Sequence, residues 1–361
     1  MRKSIVTVLA FVSVFLVCCK SKNDSIFLCD VKDYDSNSCT SVELKGKLVP
    51  VEILGASQIA VCDTFLVVLT SNKNAMFSVV GLKSEKLLAE FGTEGQSRIE
   101  FLYPSIDDKE FKYDSGHWLM RVTEQNDGSL KYVDLTESVI QGKTVISYVK
   151  ENEYEYNKTV VDLPDGRKLM FSSESEGYYL NSPIVKIIDD SVETVIPVYA
   201  EKKISYDDDD LYTSILLWSN KIVHDRNMSH IGFVNVIGSV VYLDVNTQKA
   251  FYLNDKSRSM DDFKFMFSSG EDISPDFMAQ TDALATDKYI FMLMQPLVRT
   301  DDEDGAKSEV RVFDWDGNYI MNIRLDQTVS FFSYDEHTDV LYVLDTVMEG
   351  IYAYELNEVL N

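Results

Sequence analysis

Ser308–Asp326 reads SEVRVFDWDGNYIMNIRLD, Thr328–Thr346 reads TVSFFSYDEHTDVLYVLDT, and Gly350–Leu356 reads GIYAYEL. Short apolar runs alternate with turn residues throughout. Val310, Val312 and Phe313 lie before Asp316-Gly317 and Tyr319, Met321 and Ile323 after it. Asp-Gly supplies the positive φ that a two-residue hairpin requires, so this spacing predicts a β-hairpin. Asp339–Leu344 and Ile351–Leu356 read as further strands across a tight connection, which makes the C-terminal stretch an antiparallel meander. Weaker copies of this unit recur upstream and predict a radial stack of small sheets, an all-β propeller.

The chain has 361 residues, 45% apolar and 12% aromatic, enough to bury the core of one large all-β domain or two ordinary ones. Met1-Arg2-Lys3 followed by the apolar run Ile5–Val17 has the charged start and short core of a secretory signal, too short to span a bilayer comfortably. The run ends in Leu16-Val17-Cys18-Cys19, which resembles a bacterial lipoprotein box. Cys19 is the better lipid acceptor, with the small Cys18 before it and Leu16 three back, whereas Cys18 would follow the bulky Val17. The resemblance implies cleavage after residue 18, several acyl chains on Cys19, and a stable membrane anchor without a membrane span. Lys20 follows Cys19 where an aspartate would imply inner-membrane retention. The implied address is therefore the cell envelope, at the outer membrane.

Three further cysteines remain, Cys29, Cys39 and Cys62. In an oxidising compartment Cys29 and Cys39 are candidates for closing a small loop, and Cys62, in an apolar stretch, reads as a buried hydrophobe. The net charge of −25 argues against nucleic acid and anionic lipid headgroups as partners and leaves peptide, protein and glycan partners open. The runs Asp207–Asp210 and Asp301–Asp304 read as solvated loops.

In order, residues 1–18 read as signal, 19–41 as a polar tether and 42–361 as the propeller. Leu48–Leu54 is a strand candidate with no sheet of its own. A ring needs its open edge paired, so this strand is expected beside Ile351–Leu356 in the last blade. Blade I takes Gln58–Cys62, Phe65–Thr70, Met76–Gly81 and Lys86–Phe91. Blade II takes Trp118–Thr123 and Leu130–Leu135 around Asn126-Asp127-Gly128. Blade III takes Val145–Val149, Thr159–Leu163, Lys168–Ser172, Ile184–Ile188 and Thr194–Tyr199. Blade IV begins with Leu211–Ser219, a short helix or inner strand, and continues through His230–Val236, Ser239–Val245 and Lys249–Leu253. Blade V takes Ala279–Thr286, Tyr289–Met294, Glu309–Phe313 and Tyr319–Leu325, and blade VI takes Val329–Tyr334, Val340–Asp345 and Ile351–Leu356. Six blades correspond to about 57 residues each, four strands with generous loops.

Between blades I and II, Phe91-Gly92-Thr93-Glu94-Gly95-Gln96-Ser97-Arg98-Ile99-Glu100-Phe101-Leu102-Tyr103-Pro104 resembles the FGxxGQGPGEFxxP connection of TolB-like six-bladed β-propeller lipoproteins of the Bacteroides type. Phe91, Gly92, Gly95, Gln96, Glu100, Phe101 and Pro104 match, and Ser97-Arg98-Ile99 departs from the Gly-Pro-Gly of that pattern. Such a crossing leaves an outer strand, passes the rim and enters the next blade at the ring centre, which calls for glycines and a proline. The resemblance implies a six-bladed ring on a lipid anchor and assigns no ligand.

Catalytic signatures are sparse. His117, His224, His230 and His337 form no HxH or HExxH, and CxxC, GxSxG and Walker-type loops are missing from the sequence. Asp314-Trp315-Asp316-Gly317-Asn318 starts like a calcium loop yet lacks the distal glutamate, so it reads as a hairpin turn. Calcium in the central channel, as in lactonase-type propellers, is the one cofactor that the fold class brings forward, and no motif indicates it. Tyr178-Tyr179, Tyr206, Tyr212 and Trp218 are the aromatic candidates for a sugar or peptide face, with burial in blade cores as the alternative. Two functions follow: a membrane-anchored propeller that binds a peptide, protein or glycan, and a calcium-dependent lactonase or esterase acting in the channel.

Overall fold

The computed structural model describes residues 26–106, 109–150, 158–172, 175–176, 179–190, 192–205, 220–258, 278–296, 307–348 and 350–360. Six antiparallel sheets succeed one another along the chain and close into a ring, a β-propeller. Blade I is Ala56–Cys62, Phe65–Thr70, Phe77–Gly81 and Lys86–Phe91. Blade V is Met278–Ala285, Tyr289–Pro296, Glu309–Asp314 and Tyr319–Leu325, and blade VI is Phe331–Asp335, Val340–Asp345 and Gly350–Glu355. These agree closely with the strands expected from alternation. The hairpin at Asp316-Gly317 forms as its residues require. Gly317 has φ +72°, and a Cβ there would lie 2.6 Å from the Phe251 ring, so the turn needs glycine on two counts.

Strand alternation puts one apolar face of each sheet against its neighbour. Phe77, Phe101, Met120 and Val122 fill the space between blades I and II. Phe171, Ile187, Phe233 and Leu243 do so between III and IV, Val234, Ile290, Met292 and Phe313 between IV and V, and Phe291, Val312, Phe332 and Tyr354 between V and VI. Ile59 and Val68 meet Leu344 and Ile351 where VI closes on I. Each such buried side chain contributes about 1.5–3 kcal/mol of transfer free energy, so among the described residues cohesion is spread over five of the six interfaces.

The crossing from blade I to blade II works as its sequence suggested. Gly92 has φ +86°, and Phe101 inserts edge-on against Phe77 with ring centroids 5.1 Å apart. Gly95 leaves room for the Glu100 carboxylate, which would stand 2.1 Å from a Cβ there and accepts a hydrogen bond from the Ser97 amide at 3.0 Å. That local hydrogen bond closes the turn where Ser97-Arg98-Ile99 replaces the glycine-rich pattern. Pro104 begins the inner strand of blade II.

Blade II differs from expectation in one respect. The strand expected in blade III at Val145–Val149 runs Ile146–Lys150 and is the outer strand of blade II, paired with Leu130–Asp134. A helix, α1 (Leu135–Gln141), separates the two strands. Asp134 caps it by accepting from the Glu137 amide at 2.8 Å, and Gly142 ends it at φ +62°. Blade III therefore consists of Lys158–Asp162, Lys168–Ser172, Ile184–Asp189 and Val192–Ile196. Blade IV opens with the inner strand Asn220–His224, and the stretch Leu211–Ser219 considered for that place lies outside the described residues.

The N-terminal stretch is more ordered than a tether up to residue 41. Strand β1 (Asp30–Tyr34) pairs in parallel with Lys249–Asp255 as a fifth strand of blade IV, and β2 (Ser41–Leu44) pairs in parallel with Tyr319–Leu325 on blade V. Then β3 (Lys47–Leu48) pairs antiparallel with Ala353 and Tyr352, and the Val49 amide donates to the Ile351 carbonyl at 2.8 Å. The expected closure of blade VI by an N-terminal strand is thus present, carried by Lys47–Val49. The reason for the added order is pairing: β1 and β2 cover edges that would otherwise stand open.

Side chains lock this belt. Tyr34 is buried, and its hydroxyl donates to the Gly238 carbonyl at 3.1 Å and accepts from Arg311 at 3.2 Å. The buried Arg311 guanidinium also donates to Asp255 at 2.9 Å and to Glu309 at 3.1 Å. Tyr34→Ala opens a cavity and unpairs part of that network. Urea denaturation is expected to show a loss of about 3–5 kcal/mol, and a loss below 1 kcal/mol would mean the belt is not integral to the ring.

Candidate functional site

The inner strands surround a central channel of about 1150 Å³. Its wall draws on every blade: Val61 and Asp63 from I, Phe111 and Trp118 from II, Val161 from III, His224 from IV, Thr281 from V and Tyr334 from VI. Turns that follow the inner strands frame its mouth. Arg226, in the blade IV turn, donates its amide to Asp287 of blade V at 2.9 Å and its guanidinium to Glu336 of blade VI at 3.1 Å. Burial pushes the Glu336 carboxyl up from its ordinary range, and Arg226 opposes that shift. Deeper in the wall of blade II, Arg121 is paired with Glu110. His224 donates Nδ1–H to the Asp225 carbonyl at 2.8 Å, which leaves Nε2 as the acceptor of the neutral ring.

At the floor, three charged side chains from three blades meet. Gln280 and Asp282 flank a bulge in the inner strand of blade V, and Thr281 falls outside the register with Tyr289–Pro296. The bulge buries Asp282 completely. Lys109 crosses from blade II to Asp282 Oδ2 at 2.5 Å, and Lys221 of blade IV reaches Oδ1. Phe332 of blade VI and Ala283 donate backbone amides to the same carboxylate at 3.1 and 2.9 Å. Lys109 takes φ +51° and lies over the Phe332 ring, 4.7 Å from its centroid. Burial alone would raise the Asp282 pKa, yet the two ammonium groups outweigh it and hold the carboxyl below its usual value.

This floor does not fit calcium. Both oxygens of Asp282 are committed to ammonium groups, and a divalent cation beside it would face both of those charges at contact distance. Among the described residues, no three His, Cys, Asp or Glu side chains converge as metal ligands.

The residues singled out from sequence fall elsewhere or outside the described part. Cys19, Tyr178, Tyr206, Tyr212, Trp218 and both acidic runs, Asp207–Asp210 and Asp301–Asp304, lie outside it. Tyr179 is exposed on a small three-stranded sheet beside blade III, with Lys203 over its ring at 4.9 Å. Cys29 and Cys39 are free thiols, and the intervening β1 is extended, which holds apart the two backbones that a bridge would bring together. Burial pushes the Cys29 thiol up to about 11. Cys62 is buried as expected. Asp314 is a turn residue, accepting from the Asn318 amide at 2.7 Å. His117 pairs with Asp134 and His230 with Asp225, each at 2.9 Å, while His224 and His337 line the channel.

Asp282, Lys109, Lys221, Gln280 and Arg226 were not anticipated. The one sequence signal was an acid within the apolar inner strand Met278–Ala285.

Asp282→Asn leaves two buried cations without their carboxylate and is expected to destabilise the ring by about 3–5 kcal/mol at pH 7. Because the folded-state pKa is depressed, this contribution is present above the unfolded-state value near ~3.9 and is lost as pH falls through the folded one. Urea midpoints from pH 7 down to pH 3 should therefore converge between the two proteins. A constant gap would show that ionisation of Asp282 is not the cause.

No protein-family model matches the chain, and no curated protein sequence does. Solved structures are similar in fold. Regucalcin, a calcium-binding protein from Agrobacterium tumefaciens, is 10% identical, covers 87% of this chain and 95% of its own, and superposes with a TM-score of 0.46. A luciferin-regenerating enzyme is 7% identical over 85% of this chain and 92% of its own, with a TM-score of 0.43. BamB from Moraxella catarrhalis is 11% identical over 84% and 74%, with a TM-score of 0.31. At these identities the likeness is one of fold.

Proposed function

We propose that this chain is an envelope lipoprotein, anchored by lipid on Cys19 at the outer membrane, whose propeller binds a peptide, protein or glycan ligand at the mouth of its channel. The resemblance to TolB-like lipoproteins of the Bacteroides type belongs to this reading. The observation that carries it is the channel itself: an open cavity of about 1150 Å³, walled by all six inner strands, with apolar, aromatic and charged groups interspersed. Two of its acids are paired with its own bases, Glu110 with Arg121 and Glu336 with Arg226. The charged floor lends no support to a calcium-dependent hydrolase.

The start of the described chain is consistent with the anchor. Ala200, just past the outer strand of blade III, donates its amide to the Ile26 carbonyl at 2.8 Å. Lipid on Cys19 would therefore attach seven residues before a contact on the outer side of blade III.

Two measurements test the halves of this reading. Cys19→Ala is expected to move the protein from the membrane fraction to the soluble fraction, and retention in membranes would sink the anchor. The protein lacking residues 1–19 is expected to bind members of a peptide or glycan array without dependence on chelator. Stoichiometric calcium with chelator-sensitive turnover of a lactone panel would instead establish the hydrolase.

A further inference from the structure

The described chain begins at the perimeter of blade III. Ala200 donates its amide to the Ile26 carbonyl and Leu28 donates its own to the Val198 carbonyl, each at 2.8 Å, so residues 26–28 are fixed beside the outer strand Val192–Ile196. Cys19 stands seven residues before Ile26. At about 3.3–3.6 Å per residue, full extension of that stretch reaches about 25 Å. Blade VI lies across the ring from blade III, and two opposed four-stranded sheets take up about 30 Å at about 4.8 Å between strands, before the channel is added. A lipid on Cys19 therefore keeps the blade III perimeter close to the bilayer, whereas the blade VI perimeter lies farther from Ile26 than the tether can reach.

The blade III perimeter presents apolar side chains to solvent. Val192 and Val195 of the outer strand, and Leu28 and Val31 beside it, are each from 52% to 64% exposed. Val192 pairs with Asp189 and Val195 with Lys186, and alternation puts the two valines on opposite faces of the sheet. An outer strand that is apolar on both faces suits insertion of its edge into a soft layer better than docking of one face on a rigid partner. Among the described residues this strand ends its sheet, while β1, β2 and β3 cover the outer edges of blades IV, V and VI. Its open backbone groups find water and polar headgroups in the interfacial layer, which the hydrocarbon interior would deny them. Residues 184–205 hold three lysines against four acids, a net −1, which favours zwitterionic over anionic headgroups.

We propose that the outer edge of blade III docks on a lipid surface: Leu28, Val31, Val192 and Val195 enter the headgroup layer of the membrane that holds the Cys19 lipid, and the ring stands edge-on with its channel axis along the membrane plane. This deepens the anchored reading and rests on it. Four such side chains are too few to hold the protein on a bilayer by themselves. The lipid supplies the effective concentration that makes their contact persist.

The test uses the full lipidated chain in phosphatidylcholine vesicles whose acyl chains carry bromine near the headgroup, a short-range quencher of tryptophan. Val195→Trp and Val192→Trp report from the blade III edge. Leu48→Trp, at a comparably exposed position on the outer strand of blade VI, reports from the opposite perimeter. Emission of the unsubstituted chain is subtracted to remove its own tryptophans.

The expected result is flotation of every variant with the vesicles, loss of about half or more of the added emission at the two blade III positions, and little loss at the blade VI position. Quenching at residue 48 as strong as at residues 192 and 195, or stronger, overturns the edge-on docking. Flotation without quenching at any position overturns the docking and leaves the anchor standing, whereas failure to float overturns both. Val192→Trp keeps the test decisive if Val195→Trp, checked by circular dichroism, fails to fold.

Discussion

A closed wheel of sheets has one seam, and the structure depends on how that seam is sewn. Blade VI has only three strands from the C-terminal stretch, and its outer edge is completed by Lys47–Val49 through backbone hydrogen bonds to Gly350–Glu355. The two ends of the chain therefore share one sheet, and separating blade VI from its neighbours requires breaking backbone pairs as well as apolar contacts. The same N-terminal stretch runs along blades IV and V before reaching the seam. Tyr34, held among Arg311, Gly238 and the rings of Phe313 and Tyr319, couples that belt to the interface of the two blades it crosses.

Inside the ring the organising element is a charge. Asp282 alone would be prohibitively costly in the interior, and so would either lysine. Together they join blades II, IV and V, and the Phe332 amide adds blade VI, so the carboxylate acts as a hub for four of the six sheets at the ring centre. A hydrophobic plug of similar volume could close the floor as well. What the ionic version adds is polarity directed at the cavity.

Local chemistry made much of the ring legible. Phe65–Thr70 and Lys86–Phe91 alternate cleanly, Asp316-Gly317 and Asn126-Asp127-Gly128 mark hairpins, and the crossing from Phe91 to Pro104 carries its glycines where the backbone turns. Failures occurred where information is not local. Val145–Val149 reads as the start of blade III, whereas Ile146–Lys150 completes blade II, because α1 intervenes before that sheet is complete. Asn220–His224 is short and carries no clear period, so its neighbours could not be separated from it by alternation. The belt strands β1 and β2 are polar and mostly exposed, and only their pairing with distant edges makes them strands. The floor was hidden for the same reason: Lys109 and Lys221 lie 173 and 61 residues from the carboxylate they share.

The acidity of the whole chain and the bases at its channel floor also fit together. A net charge of −25 repels anions at long range, but in physiological salt that repulsion decays over about 8 Å. Lys221, recessed among apolar walls, is screened less than surface charges are. The contrast between an acidic surface and a floor where acid and base are paired is set by where the charges are buried.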